Sequence, residues 1–382
     1  MQKPKIIRIT TIPGSMGGLL QGQLKYMSKD FEIIGISSYD NGILDKVALK
    51  EGIRVIPIEM TRKITPFKDL RAVIKLYRVI RKERPQIVHS HTPKAGTLGM
   101  FAAKLAGVPH RLHTIAGLPL LESTGLKRKL LNLVERITYA CATKIYPNSN
   151  GLQKIILENK FTHTNKLKVI GNGSSNGIDT SIFNPLLYDL NFKTALKRKL
   201  KIHEGEYIFI YVGRLVKDKG INELIAAYSD LGKHLKTKLI LVGPYERELD
   251  PLKKETEDCI NKCENIIAVG YQNDVRPFFA IADCLVFPSY REGFPNVVMQ
   301  AGSMGLKSIV TNINGCNEII KNNVNGNIIP VKNVFQLKKT MIMTIENAGN
   351  EKPNLYREII AQKYERKFVW EQLHKEYKSF GF

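Results

Sequence analysis

Short apolar runs recur along the chain, each closed by a glycine, a proline or a polar turn, and most are followed by a longer stretch with apolar residues three and four apart. The runs have the length of buried strands and the longer stretches the period of amphipathic helices. In the first half, strands are predicted at 5–10, 31–37, 54–58, 86–90, 111–115 and 144–146, with helices from near Leu19 and over 67–84, 96–106 and 126–141. In the second half, strands are predicted at 207–212, 238–243, 266–269, 284–287 and 308–311, with a helix over 221–228. Such alternation is the pattern of an α/β protein whose parallel sheets are covered by helices on both faces. The stretch 171–179 is rich in Gly, Ser and Asn, and a basic connector over 182–202 follows it, so two alternating series are separated. Two doubly wound parallel-sheet domains are therefore expected, over 1–182 and 183–355, facing a central cleft. Trp370, Leu373 and Tyr377 at helical spacing predict a helix within 356–382 that braces the two.

The length of 382 residues agrees with two cores rather than one. No apolar run reaches the roughly 20 residues of a membrane span, and the N-terminus lacks a signal-peptide pattern, so a cytoplasmic protein is expected. Cys141, Cys259, Cys263, Cys284 and Cys316 lack framework spacing, which points to free thiols, and Cys259 with Cys263 lacks a second ligand pair for zinc. Charge changes the picture more. Residues 1–182 carry 29 Lys and Arg against 12 Asp and Glu, a net +17, whereas 183–382 carry 29 against 23, a net +6. A basic first half suits a phosphorylated substrate, an anionic membrane surface or nucleic acid. No nucleic-acid motif is present, so no nucleic-acid partner is expected. The 67–84 helix carries Lys68, Arg71, Lys75 and Arg78 beside Leu70, Val73, Ile74 and Tyr77. Such a helix serves either as a solvated face over a core or as a face laid on acidic headgroups.

The densest candidate chemistry lies after the 284–287 run, where Pro288 ends a strand and Arg291-Glu292-Gly293-Phe294-Pro295 leads to a helix beginning at Asn296 and Val297. A strand end, a carboxylate and a helix N-terminus meet there, which suits a sugar attached to a phosphate. An ordinary loop with a solvated Glu is the plain alternative. Arg214 leaves the 207–212 strand and Lys219 precedes the next helix, so both cations can reach an anion at that helix start. The Pro13 to Gly18 turn, with Gly17 and Gly18 adjacent, is a weaker anion signal, and it is neither Gly-x-Gly-x-x-Gly nor a P-loop. His91 and Lys94 follow the 86–90 strand, where open α/β sheets place ligands. No Asp-x-Asp stands at a strand end, so no metal is expected.

Pro288-Ser289-x-x-Glu292-Gly293-Phe294-Pro295, Gly213-Arg214 with Lys219-Gly220, His89-Ser90-His91, Asn172-Gly173 to Asp179, and Gly315 to Glu318 occur in the order and spacing of a known family. Together they resemble the retaining glycosyltransferases of family four, and among those the bacterial enzymes that build capsular polysaccharide, O-antigen or protein-glycan precursors on a lipid diphosphate. The resemblance implies the GT-B fold of two Rossmann-like domains, with a nucleotide-sugar site mostly on the second. It implies that Arg214 and Lys219 hold the donor diphosphate and that Glu292 bonds the donor sugar. Gly293, Phe294, Pro295, Asn296 and Val297 would form the rest of the sugar and phosphate site, Tyr271 would lie near the base, and Gly17 and Gly18 would close over the diphosphate. Two positions depart from the pattern. Gln300 stands where the family usually has a second Glu, and a neutral amide can still bond ribose hydroxyls. Ala116 stands where many members have His, so that role is either absent here or supplied by a neighbour such as His91 or His113. The implied activity is retaining transfer of a sugar from a nucleotide sugar, UDP-linked by expectation, to a lipid-diphosphate-linked saccharide, with no further cofactor. The implied place is the inner face of the cell membrane. A UDP-sugar 2-epimerase or a non-catalytic nucleotide-sugar binder would share the fold.

Overall fold

The computed structural model describes residues 3–61, 63–118, 120, 123–231, 235–248 and 250–381. The chain divides into two compact units, one of residues 1–177 with 366–382 and one of residues 178–365.

In unit 1 the strands are β1 (Lys5–Ile9), β2 (Glu32–Ser37), β3 (Arg54–Pro57), β4 (Ile87–His91), β5 (His110–Ile115) and β6 (Lys144–Pro147). They form one sheet in the order β3-β2-β1-β4-β5-β6, every pair parallel. In unit 2, β7 (Tyr207–Val212), β8 (Thr237–Val242), β9 (Ile266–Gly270), β10 (Cys284–Phe287), β11 (Lys307–Thr311) and β12 (Gly326–Ile329) form a second all-parallel sheet, ordered β12-β11-β10-β7-β8-β9. Helices cover both faces, so the central strands are apolar on both sides. Ile208 to Tyr211 and Cys284 to Val286 are fully buried, without the alternation of a half-exposed strand. The strand order reverses between β1 and β4 in one sheet and between β7 and β10 in the other. At such a reversal the helices on either side diverge and leave a crevice beyond the strand ends.

Three expectations change. The Pro13 to Gly18 turn is itself a helix, Pro13–Leu19, because Pro13 in the first turn starts the helix directly after β1. Its Gly17 lies against the 43–51 helix, where an added Cβ would sit 3.0 Å from Val47. The edge strand β12 was not read from the sequence, since Gly326-Asn327-Ile328-Ile329 is short and half-exposed. The tail is two helices, Pro353–Tyr364 and Arg366–Lys378, broken at Glu365. The 353–364 helix packs on the Asn296–Ser303 helix of unit 2, with the Phe294 and Tyr364 rings 5.4 Å apart. The 366–378 helix belongs to unit 1: Leu373 and Tyr377 join Ile6, Phe31, Ile87 and Leu112 in one core cluster.

Candidate functional site

In unit 2 the crevice residues come from the loops after β7, β8, β10 and β11. Past β7 the chain turns at Gly213, and the buried Tyr211 hydroxyl donates to the Arg214 carbonyl at 2.9 Å. Burial, then the charges of Glu292 and Asp218, push that phenol well above its ordinary pKa, so it stays a neutral donor. A single turn at Lys217–Lys219 leads through Gly220 into the Ile221–Ser229 helix. Gly220 has φ 71°, and a Cβ there would sit 2.1 Å from the Pro288 carbonyl oxygen, so only glycine lets the β7 and β10 loops meet. Tyr290 N–H donates to the Asp218 carbonyl at 2.9 Å, and Arg291 pairs with the Asp218 carboxylate at 3.0 Å.

Tied in this way, the β7 loop aims Lys219 at Glu292, and Nζ contacts Oε1 directly. The Ser289 hydroxyl lies 3.2 Å from the same oxygen. The two side chains are 16% and 18% exposed, so water screens the pair less than it would on an open surface. From the β11 side, the Asn314 amide donates to the carbonyls of Glu292 and Gly293. Gly315, at φ 77°, lets that loop close on the same backbone, since a Cβ would come within 2.6 Å of the Gly293 oxygen. Arg214 leaves the same strand end, but its guanidinium is drawn toward the β8 loop, where Nη1 donates to Glu246 at 2.6 Å. Burial pulls Arg214 down, yet the hydrogen bond and charge of Glu246 leave it above its ordinary pKa.

Of the remaining predicted donor residues, Asn296 and Val297 occupy the first turn of the 296–303 helix, where amide N–H groups have no intrahelical acceptor. Gly293 and Pro295 are buried and Gln300 is half-buried one turn on. Phe294 differs from expectation: the residue is 7% exposed and its ring packs in the core of unit 2 against Tyr364. Tyr271 is 69% exposed beyond β9, two strands from β7, and does not join the cluster. Gly17 and Gly18 lie in unit 1, in the helix after β1, and Gly18 has open space around it. Sequence reasoning missed Glu246 and Asn314. Each follows a strand and sits near a glycine, the one signal that could have found them.

In unit 1 the predicted histidines, His91 and His113, are buried and bonded to neighbouring side chains. The sequence puts the strand end at Ser90, but β4 runs one residue further, so His91 stays inside the sheet. His91 accepts from the buried Arg8 at 3.2 Å and lines a cavity of about 20 Å³, too small for a sugar. His89 bridges Tyr377 Oη at 2.6 Å and Thr114 Oγ1 at 2.7 Å. His113 lies under the Pro93–Leu105 helix, bonded to Ser90 Oγ at 2.9 Å, and burial lowers it to about 4. Burial, then neighbouring positive charge, holds His89 and His91 well below the usual imidazole range. Of the predicted residues His91, Lys94 and His113, Lys94 is the one on the wall of a larger cavity. It pairs with Asp69 at 2.6 Å on the wall of a cavity of about 570 Å³.

Two six-stranded parallel sheets flanked by helices, each with a strand-order reversal, are the architecture of a GT-B protein. Residues 192–366 match the family described as glycosyl transferases group 1, and residues 19–149 match glycosyl transferase 4-like. The capsular polysaccharide biosynthesis glycosyltransferase CapM of Staphylococcus aureus is 31% identical over 384 aligned residues, covering 100% of this chain and 98% of that one. The UDP-Gal:alpha-D-GlcNAc-diphosphoundecaprenol alpha-1,3-galactosyltransferase of Escherichia coli is 30% identical, covering 90% and 89%. The crystal structure of Anabaena HepE in complex with UDP matches the fold with a TM-score of 0.81 at 17% identity, over 99% of this chain and 100% of that one. The chain belongs to the family-four glycosyltransferases.

Proposed function

We propose that this protein is a retaining, metal-independent glycosyltransferase that moves a sugar from a UDP-linked donor to a hydroxyl of a lipid-diphosphate-linked saccharide, in surface polysaccharide or glycan assembly. The observation that carries this reading is the Lys219–Glu292 pair at the β7/β10 switch point, with Arg214 leaving the adjoining strand end. Relatives support the rest: the Escherichia coli enzyme uses UDP-Gal and a diphosphoundecaprenol acceptor, and a Campylobacter jejuni transferase, 27% identical over 82% of this chain and 85% of its own, also acts on a diphospho-undecaprenol.

Cleaving the bond from the anomeric carbon to a nucleoside diphosphate builds negative charge on the leaving phosphate. Arg214 and Lys219 neutralise that charge as it develops, and the first-turn amides of Asn296 and Val297 add fixed donors. Glu292 accepts from a donor-sugar hydroxyl and holds the ring for attack from the face the phosphate leaves. The departing phosphate takes the acceptor proton, so no protein nucleophile is assigned. On this reading the enzyme works peripherally at the inner membrane face, which the net +17 of residues 1–182 and a lipid acceptor support. No described helix is long and apolar enough to cross a membrane.

Purified protein incubated with radiolabelled UDP-sugars and a prenyl-diphosphate GlcNAc acceptor, with EDTA present, tests the reading. Transfer from one donor with an α-anomeric product by NMR is the expected result. No transfer from any nucleotide sugar would overturn the activity, and a β-product would overturn retention.

A further inference from the structure

The cavity of about 570 Å³ in unit 1 lies over the Pro93–Leu105 helix, between the Pro66–Glu83 and Gly125–Cys141 helices. Its volume is that of a small-molecule site, roughly 300–1,000 Å³. One part of its wall is apolar, built from Ile64, Leu98, Leu130, Leu131 and Val134. Another part is formed by Thr11, Ser15, Thr92 and Lys94, at the carboxyl ends of β1 and β4 where the strand order reverses. Thr92 is held there at φ 75°, a conformation costly for a β-branched residue, and the Thr11 N–H donates to its hydroxyl at 3.2 Å. Lys94 gives one of its three N–H bonds to Asp69. The other carboxyl on the wall, Glu135, is pushed toward its neutral form by burial. The flanking helices continue the apolar character outward through Phe67, Leu70 and Leu126, which are 86%, 60% and 83% exposed.

We infer that this cavity receives the first isoprene units of the acceptor's polyprenyl chain, with the diphosphate at the Lys94 and Thr92 end, so that the enzyme reads the acceptor's lipid as well as its sugar. The inference rests on the proposed lipid-diphosphate acceptor. An apolar wall joined to a cation at a sheet switch point matches a molecule that is apolar on one side of a diphosphate and polar on the other. A membrane phospholipid would need no site at the strand ends.

Two readouts test it. Calorimetry compares binding of geranylgeranyl diphosphate and ethyl diphosphate, and steady-state kinetics compares GlcNAc acceptors carrying the same two groups in vesicle-free buffer. The wild type should prefer the geranylgeranyl forms on the order of ten- to a hundredfold. The double variant Ile64→Asn with Leu130→Asn changes two exposed side chains, 61% and 48%, and so spares the core. It should lose that preference and keep its kcat/KM for the ethyl acceptor. Equal binding of the two diphosphates by the wild type would overturn the inference. So would a double variant that binds vesicles less tightly but retains the chain preference, which would make the face a membrane contact. A chain preference in binding that the double variant loses, without transfer to either acceptor, would support the groove and overturn the proposed activity instead.

Discussion

Arg214 and Lys219 each hold a carboxylate, Glu246 and Glu292, so under the proposed function an arriving diphosphate would compete with protein groups for both cations. The two carboxylates differ in what they face. The Glu292 carboxylate accepts from Lys219 and Ser289, on two different loops, whereas the only bond described for the Glu246 carboxylate is to Arg214. Glu246→Gln should therefore lower KM for the nucleotide sugar severalfold with kcat little changed, read by steady-state kinetics. Arg214→Ala should cost transfer on the order of 10²- to 10³-fold, the scale of a lost charge-stabilising donor. Its thermal unfolding should stay near wild type, because the side chain is 42% exposed. Lys219 and Glu292 were each legible in the sequence as residues beside a glycine at a strand-to-helix loop, but their pairing was not, since nothing local shows that Gly220 brings the β7 loop onto Pro288. Phe294 was not, because an aromatic ring beside a crevice motif reads equally as a wall of the crevice or as core. Its packing on Tyr364, 70 positions along the numbering, decided the matter.

The β4 and β5 strands put three histidines in the interior of unit 1, which gives the element a pH signature. All three are held neutral in the native state, His113 with a pKa of about 4 and the others well below the usual range. The unfolded chain binds protons on them near pH 6.5. Stability is thus fully present above about 6.5 and falls as the pH drops. The His113 contribution levels off near 4. Urea titrations between pH 7 and pH 4 should show the midpoint falling steadily, and a flat profile would refute the assignment. The Pro93–Leu105 helix depends on the same layer: a Cβ on Gly96 would lie 2.3 Å from the His113 ring. Gly96→Ala should destabilise the protein by roughly 1–3 kcal/mol through overpacking, measured by denaturant unfolding. Most central strands were plain in the sequence because burial on both faces makes them continuous apolar runs. The edge strand β12 and the helix after β1 were hidden for opposite reasons. Asn327 interrupts the strand's apolar run, and glycines in the helix imitate a turn.

At the scale of the whole molecule, the chain leaves unit 1 after Gly177 and re-enters it at Arg366. Trp370 donates to Asn176 at 2.6 Å and lies tilted against Tyr26, Glu376 accepts from Tyr146 at 3.1 Å, and the Tyr377 ring is fully buried beside Phe31. The sequence showed the helical spacing of these residues but not which sheet they would cover, because nothing local distinguishes the two. A chain ending at Glu365 should expose the Phe31 and Tyr26 surface, bind an apolar dye and lose the cooperative unfolding of unit 1, as read by calorimetry. The same arrangement orders events during translation. Unit 1 waits for residues 366–378, so a ribosome must deliver all of unit 2 before unit 1 is sealed, and nascent chains stalled short of residue 377 should remain open to protease within residues 1–177.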